Sequence, residues 1–413
     1  IQAVALAELD GLTVPNAHGD LPLVDLDPTR PAVTPGNDSA DPEAYDYWDH
    51  VEFIVNAANR RGLHVALLPT WGSWAPSTNR RDNRVVLHAG NARAYGEFLG
   101  RRFGHLGLIW VLGGDRDITG HESLWPEMAR GLALGATGRE DYTHRLMTFH
   151  PNGGRSSADW FHDAPWLAFN LAQTGHRHID DPARPTGWKR LESDWDRTPA
   201  KPTFDGEPLY EDHPIGFGST RGDRHGYALD THVRQRAYWA VFSGGFGHTY
   251  GHHSVWQMHA QGHTPINGPI LTWREALERP GAEQMRHLRA LLESRPFFSR
   301  MPAPDLVVDP LAGQDRIVAT QGDGYALVYT AQGRPFTVRL GRISGTRLRA
   351  WWFNPRVGTA QLIGEFDNRG EREFAPPNFG GLGTDTVLVL DDAARDYAPP
   401  GRSRSEMPSH HVP

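Results

Sequence analysis

The chain has 413 residues, 38% of them hydrophobic and 22% charged, with a formal net charge of −7. That balance is ordinary for a soluble globular protein, is long enough for two domains, and gives no basic footprint for nucleic acid. The absence of cysteine excludes disulfides, thiolate metal sites and a cysteine nucleophile, and no apolar run approaches the length needed to cross a membrane.

Ile1–Ala7 reads as a buried strand, and Glu8–Pro42 as a long loop of the kind that carries function. Tyr45–Arg61 places apolar residues at helical spacing, with Gly62 as its stop, and His64–Leu68 reads as the next strand. Asn91–Phe103 reads as a helix leading into the strand Leu108–Leu112, and Glu122–Leu134 as the helix after it. Leu146–His150, Leu167–Leu171 and Lys201–Asp205 read as strands, Asp230–Ser243 as a helix and Phe246–Tyr250 as a strand. Trp273–Leu292 reads as a helix interrupted at Pro280-Gly281. Seven strands alternating with helical or loop connections argue an α/β fold over residues 1–298, a (β/α)8 TIM-type barrel rather than an open sheet. Since a closed barrel needs eight strands, the first strand and helix are expected upstream of Ile1, which makes Ile1–Ala7 the second strand.

After Pro296 the pattern changes to short alternating runs separated by Gly, Pro, Asn and Asp. Leu306–Val308, Ile317–Thr320, Ala326–Thr330, Phe336–Arg339, Leu348–Phe353, Gln361–Glu365 and Thr386–Leu390 predict a small antiparallel β-sandwich over residues 299–392. Residues 393–413 read as a disordered polar tail.

Under the eight-strand count, Asp115 follows strand four, after Gly113-Gly114, and Glu207 follows strand seven, between Gly206 and Pro208. In such barrels chemistry sits on the loops at the carboxyl ends of the strands. Two acids facing each other across the mouth suit glycoside hydrolysis, in which one carboxyl protonates the leaving oxygen and the other stays ionised. The bland readings are a helix cap or an Arg116 partner for Asp115, and a surface ion pair for Glu207. Around these acids, Trp71 and Trp74 offer faces for sugar rings, and Arg116, His150, Asn152, Gln173, His176, Tyr250 and His252 offer polar contacts. Tyr250 is expected to hold the Glu207 carboxylate by a hydrogen bond. A rival reading gathers His248, His252 and His253 with Asp115 or Glu207 around a divalent metal, but no His-x-His follows the first strand and no His-Glu-x-x-His occurs. A second rival is a non-catalytic carbohydrate- or matrix-binding protein. The expected partner is an oligosaccharide, with no cofactor, no metal and no nucleic acid.

The chain resembles glycoside hydrolase family 140, the apiosidase-like family. The resemblance rests on Trp110-Val111-Leu112-Gly113-Gly114-Asp115-Arg116, His150-Pro151 with Gly153-Gly154-Arg155-Ser156-Ser157, and Asp159-Trp160-Phe161-His162. It continues through Gln173-Thr174-Gly175-His176, Asp205-Gly206-Glu207-Pro208 and Tyr238–Gly251. Trp352-Phe353-Asn354-Pro355-Arg356 marks the small β domain that such proteins carry, often labelled collagen-binding. The resemblance implies Asp115 as general acid/base, Glu207 as nucleophile, and an apiose–galacturonate linkage of pectic side chains as substrate. Retention of configuration is expected because the strand-four and strand-seven placement of the two acids resembles that of retaining barrel glycosidases.

Overall fold

The computed structural model describes residues 1–9, 11–78, 84–176, 187–215, 217, 226–378 and 380–402. It divides into two compact units, one of residues 1–173 with 197–202, the other of residues 174–196 with 203 onward.

In the first unit, β1 (Gln2–Val4), α1 (Tyr47–Asn59), β2 (Val65–Leu68), α2 (Ala89–Phe103), β3 (Leu108–Gly113), α3 (Leu124–Thr137) and β4 (Met147–His150) alternate as expected. A short α4 (Ala158–Phe161) and β5 (Asn170–Ala172) follow. The first four strands form one sheet in chain order, every neighbouring pair parallel. That is the order that strand–helix–strand crossovers produce. A four-stranded parallel sheet is thus what this unit shows of the expected barrel. β3 and β4 are buried almost throughout, because helices cover them, which is why they read as unbroken apolar runs. Trp48, Tyr95, Phe103, Trp110 and Trp125 fill the core.

α1 starts where Asp46 accepts hydrogen bonds from the amides of Trp48 and Asp49, while Asp49 answers with the Asp46 amide. The long loop before it is anchored rather than loose. Leu12 and Leu23 are buried in the core, and the Trp48 indole N–H donates to the Pro22 carbonyl at 2.9 Å.

α2 and α3 lie against each other along glycines. A Cβ on Gly96 would stand 2.6 Å from the Met128 carbonyl oxygen, and one on Gly100 2.3 Å from that of Leu132. From the other side, Cβ atoms on Gly131 and Gly135 would each stand 2.2 Å from the carbonyls of Arg93 and Glu97. Two helices backing β3 are therefore in backbone contact, closer than side chains normally permit.

In the second unit α5 (Gly187–Trp195), β6 (Thr203–Asp205), α6 (Asp230–Phe242) and β7 (Gly247–His248) come first, and β6 and β7 pair in parallel. α7 (His253–Trp256), α8 (Trp273–Ala276) and α9 (Pro280–Glu293) follow. The interruption expected at Pro280-Gly281 divides the Trp273–Leu292 stretch into two helices, with Pro280 opening the second. α5 was not foreseen, since its apolar side amounts to little more than Trp188 and Leu191.

The remaining strands are β8 (Met301–Pro302), β9 (Ile317–Gly322), β10 (Tyr325–Thr330), β11 (Phe336–Arg339), β12 (Arg347–Asn354), β13 (Thr359–Asp367), β14 (Glu371–Phe374) and β15 (Thr386–Asp392). Six of them form an antiparallel sheet ordered β13-β12-β15-β10-β9-β8, and β11 pairs with β14. The expected strand at Leu306–Val308 is instead a single turn at Pro304–Leu306, touching β11 by one bridge between Val307 and Val338. Alternate residues of β10 separate two cores. Tyr325, Leu327 and Tyr329 pack with Trp239 and Phe242 of α6 and Leu288 and Leu291 of α9, whereas Ala326 and Val328 pack with Phe336 and Phe374 of the two-stranded layer. Helices thus cover one face of what the sequence predicted as a plain sandwich. Residues 393–402 of the expected tail are also placed: Ala398 is buried, and the Tyr397 hydroxyl donates to the Asp323 carbonyl at 2.7 Å. The rest of that tail lies outside the described residues.

Gly100→Ala tests the helix contact. Its methyl would meet backbone rather than a movable side chain, so a loss of about 1–3 kcal/mol is expected. Thermal unfolding should show a clear fall in Tm, and an unchanged Tm would mean that α2 and α3 have room to part.

Candidate active site

β3 ends in a turn made of consecutive left-handed residues, Gly113 (φ 90°), Gly114 (φ 138°) and Asp115 (φ 50°). A Cβ on Gly113 would lie 2.5 Å from the His150 carbonyl oxygen, and one on Gly114 2.6 Å from the Gly72 nitrogen. Only glycine fits either place. The Gly114 amide donates to the His150 carbonyl at 3.1 Å, and its own carbonyl accepts from Gly72 at the same distance. The turn is thereby tied to the ends of β4 and β2.

The Asp115 carboxylate accepts from Gln173 Nε2 at 3.0 Å through Oδ1, and pairs with Arg116 Nη1 at 3.3 Å through Oδ2. Its amide donates to His150 Nδ1 at 3.3 Å. The side chain remains 39% exposed, so solvent reaches it. Gln173 is aimed by a short antiparallel contact: its amide donates to the Arg155 carbonyl, and its carbonyl accepts from Gly154. Trp71 leans on His150 with ring centroids 5.4 Å apart, half-buried beside the turn.

In the second unit Glu207 follows β6 and is buried, its side chain 10% exposed. His176 Nε2 donates to Oε1 at 3.1 Å, and the Gly175 amide donates to the Glu207 carbonyl at 2.9 Å. Just before it, buried Asp205 accepts from the Thr174 hydroxyl at 2.9 Å, which ties the 174–176 segment to the same strand end. Burial, with His176 and His253 alongside, pulls the His213 imidazole down to about 2; burial likewise takes His253 down to about 4.

Residues 1–299 match the family model "Apiosidase-like, catalytic domain". The chain belongs to the apiosidase-like family. It is a glycoside hydrolase, and residues 301–391 match "Putative collagen-binding domain of a collagenase". A solved structure described as a glycoside hydrolase is 33% identical over 96% of this chain and 86% of its own, with a TM-score of 0.82. A glycoside hydrolase family 5 structure from Bacteroides vulgatus is also 33% identical, over 96% and 83% of the two chains, with a TM-score of 0.81. No curated protein sequence matches significantly.

Against this apiosidase-like frame the expected site residues sort into groups. The first unit brings Asp115, Arg116, His150 and Gln173 together, with Trp71 and Asn152 in the adjoining loops. Trp74 does not serve as an open sugar platform: it is buried in the core, and its indole N–H donates to the Ala7 carbonyl at 2.9 Å. The second unit brings His176 to Glu207.

Tyr250 does not hold Glu207. Its hydroxyl donates to Glu211 Oε2 at 2.6 Å, an acid the sequence reading passed over. Glu211 also accepts from the Gly281 amide at 3.0 Å, at the start of α9, where a Cβ would stand 2.3 Å from the carboxylate. His252 donates to Asp212 Oδ2 at 3.1 Å, and the same oxygen accepts from Arg279 Nε at 2.6 Å. Glu211 and Asp212 thus clasp the loop after β7 and the chain entering α9 to the loop that carries Glu207. The spacing Glu207-x-x-x-Glu211-Asp212 was visible, but nothing local in it marks the second pair as buried. The histidines of the rival metal reading are spread among these tasks, His248 lying 3.6 Å from Asp205 and His252 serving Asp212. Among the described residues, no group of three or more His, Cys, Asp or Glu is gathered for a metal.

Burial raises the Glu211 pKa, and the Tyr250 hydrogen bond offsets only part of that. A raised acid binds its proton more tightly when folded, so this contribution to stability is lost as pH rises from about 4.3, the ordinary glutamate value, through the raised folded value. Glu211→Gln keeps both acceptor bonds and removes the titration. Tm compared across pH 4–8 is expected to fall less steeply with pH in the variant, and parallel curves would show that Glu211 does not titrate there.

Proposed function

We propose that this apiosidase-like chain is a retaining, exo-acting glycosidase of a plant cell-wall furanoside, the apiose of pectic side chains, with Glu207 as nucleophile and Asp115 as general acid/base. The contrast between the two acids carries this reading. Glu207 is buried and oriented by His176, as a group that must meet one carbon in one direction requires. Asp115 is more than a third exposed, held by a neutral amide and one arginine, as suits a group that exchanges protons first with a leaving oxygen and then with water. The strand alternation supports a (β/α)8 barrel in which β3 and β6 stand fourth and seventh. Arg116, Asn152 and His150 are the polar contacts proposed for the sugar, beside the Trp71 face.

In the first step a Glu207 carboxylate oxygen bonds the anomeric carbon while the bond to the leaving oxygen breaks, and Asp115 gives that oxygen its proton. In the second step Asp115 takes a proton from water, whose oxygen replaces Glu207 at the anomeric carbon. Two inversions give net retention.

Glu207→Gln should lose on the order of 10²–10⁴ or more in rate on every substrate, since no covalent intermediate forms. Asp115→Asn should differ in kind: aryl glycosides with good leaving groups keep much of their first step, and azide restores turnover as a glycosyl azide. In a crystal structure the two carboxyl groups should stand about 5–5.5 Å apart. Activity retained by Glu207→Gln, an inverted product, or carboxyl groups about 6.5–9.5 Å apart would each sink the retaining assignment. Internal cleavage of pectic chains would sink exo action.

A further inference from the structure

His213 has no place in the mechanism above, yet it lies flat on His176, which hydrogen-bonds the Glu207 carboxylate. The His213 and His176 rings stack with centroids 4.2 Å apart and planes 18° from parallel. His213 is fixed in turn by its own backbone, Nδ1 donating to the Pro214 carbonyl at 2.7 Å, and by the edges of Phe217 at 5.1 Å and His253 at 4.5 Å. Tyr210 closes on His176 from another side at 4.4 Å. The tyrosine has that position because residue 251 is glycine: a Cβ there would stand 2.2 Å from its ring. All of these groups are aromatic, and they leave the His176 ring little freedom to turn.

We propose that His176 and His213 are positioning residues for Glu207: the stacked pair holds Nε2–H of His176 on Oε1, so that the carboxylate already stands in its attacking orientation before sugar arrives. This rests on Glu207 being the nucleophile. A carboxylate at the end of a flexible stem rotates readily, and about 1 Å of misplacement costs on the order of 10²-fold in rate. A stacked ring can supply that restraint without adding charge. His213 is suited to this because burial keeps it neutral, so the stacked ring brings no positive charge of its own in the neutral range.

The test is the rate of trapping by an activated 2-deoxy-2-fluoro derivative of whichever furanoside the enzyme turns over. In that step a Glu207 oxygen bonds the anomeric carbon and the aryloxide leaves with its electron pair, so mass spectrometry reads an ester on Glu207. His176→Leu should trap on the order of 10²-fold more slowly, with the half-saturating concentration within about threefold of wild type. His176→Gln, whose amide still offers an N–H, should recover about tenfold of that loss. His213→Leu should lose on the order of tenfold, and His213→Phe, which keeps a flat ring, much less than His213→Leu. Unfolding curves for each variant refer the rates to folded protein. Wild-type trapping by His176→Leu, a change confined to half-saturation, or equal losses in the Leu and Gln variants would overturn the proposal. A wild-type enzyme that carries no ester on Glu207 would instead overturn the nucleophile reading itself.

Discussion

The contact between Gly72 and Gly114 sets what β3 can do with its last carboxylate. The two backbones meet with a hydrogen bond of 3.1 Å, and a Cβ on Gly72 would stand 2.2 Å from the Gly114 oxygen. With the chain brought so close, β3 leaves the sheet through consecutive left-handed residues, and the strain falls on Asp115, which is not glycine. A left-handed residue with a Cβ costs roughly 1–2 kcal/mol. The bonds from Gln173, Arg116 and the Asp115 amide to His150 offset that cost and direct the carboxylate. Strain of this kind persists only where the surroundings hold it.

The Glu207 side solves a different problem, that of burying many titratable groups in a small volume. Glu207, Glu211, Asp212, His176, His213, His252 and His253 are all buried. Each buried charge is costly unless it is paired or neutral, and both solutions occur here. Asp212 stays ionised: burial alone would raise its carboxyl, but the hydrogen bonds from His252 and Arg279 hold it below the ordinary range. Glu211 moves the other way, and His213 and His253 are kept uncharged. The result is a closely packed surround for Glu207, tied through Glu211 to the start of α9.

Much of this was legible in the sequence because the signals were local. An apolar run ending in Gly-Gly-Asp announces a buried strand and an acid at its end, and β3 with Asp115 is that arrangement. Gly206-Glu207-Pro208 was legible for the same reason. The partners of these acids were less so. Tyr250 was expected at Glu207 and lies on Glu211, since a tyrosine at a strand end can reach along either of two acids four residues apart, and only the fold chooses. Trp74 was expected to face a sugar, but its fate depends on the Ala7 carbonyl across 67 residues of sequence. The glycine stripe that seats α2 on α3 was present in the sequence, but each glycine alone reads as a weak helix position.

The small β domain was read as a sandwich because its strands alternate, and alternation alone cannot say what covers the second face. β15 is buried along its whole length, with Val387 and Val389 on one side and Leu388 and Leu390 on the other. The first pair packs on α6 and α9, and Tyr238 of α6 stacks on Tyr329 of β10 at 4.7 Å. Arg234, fully buried in α6, binds both oxygens of Asp385 at 2.7 Å just before β15, and also Gln284 of α9. Breaking such a pair from one side leaves a buried charge, which typically costs about 3–5 kcal/mol. Residues 301–391 therefore do not carry a complete core of their own, because half of it is supplied by helices of the hydrolase. The same α9 receives Glu211 at its first turn, so the β domain bears on the helix to which the Glu207 loop is clasped. By this packing the β strands hold α6 and α9 in place.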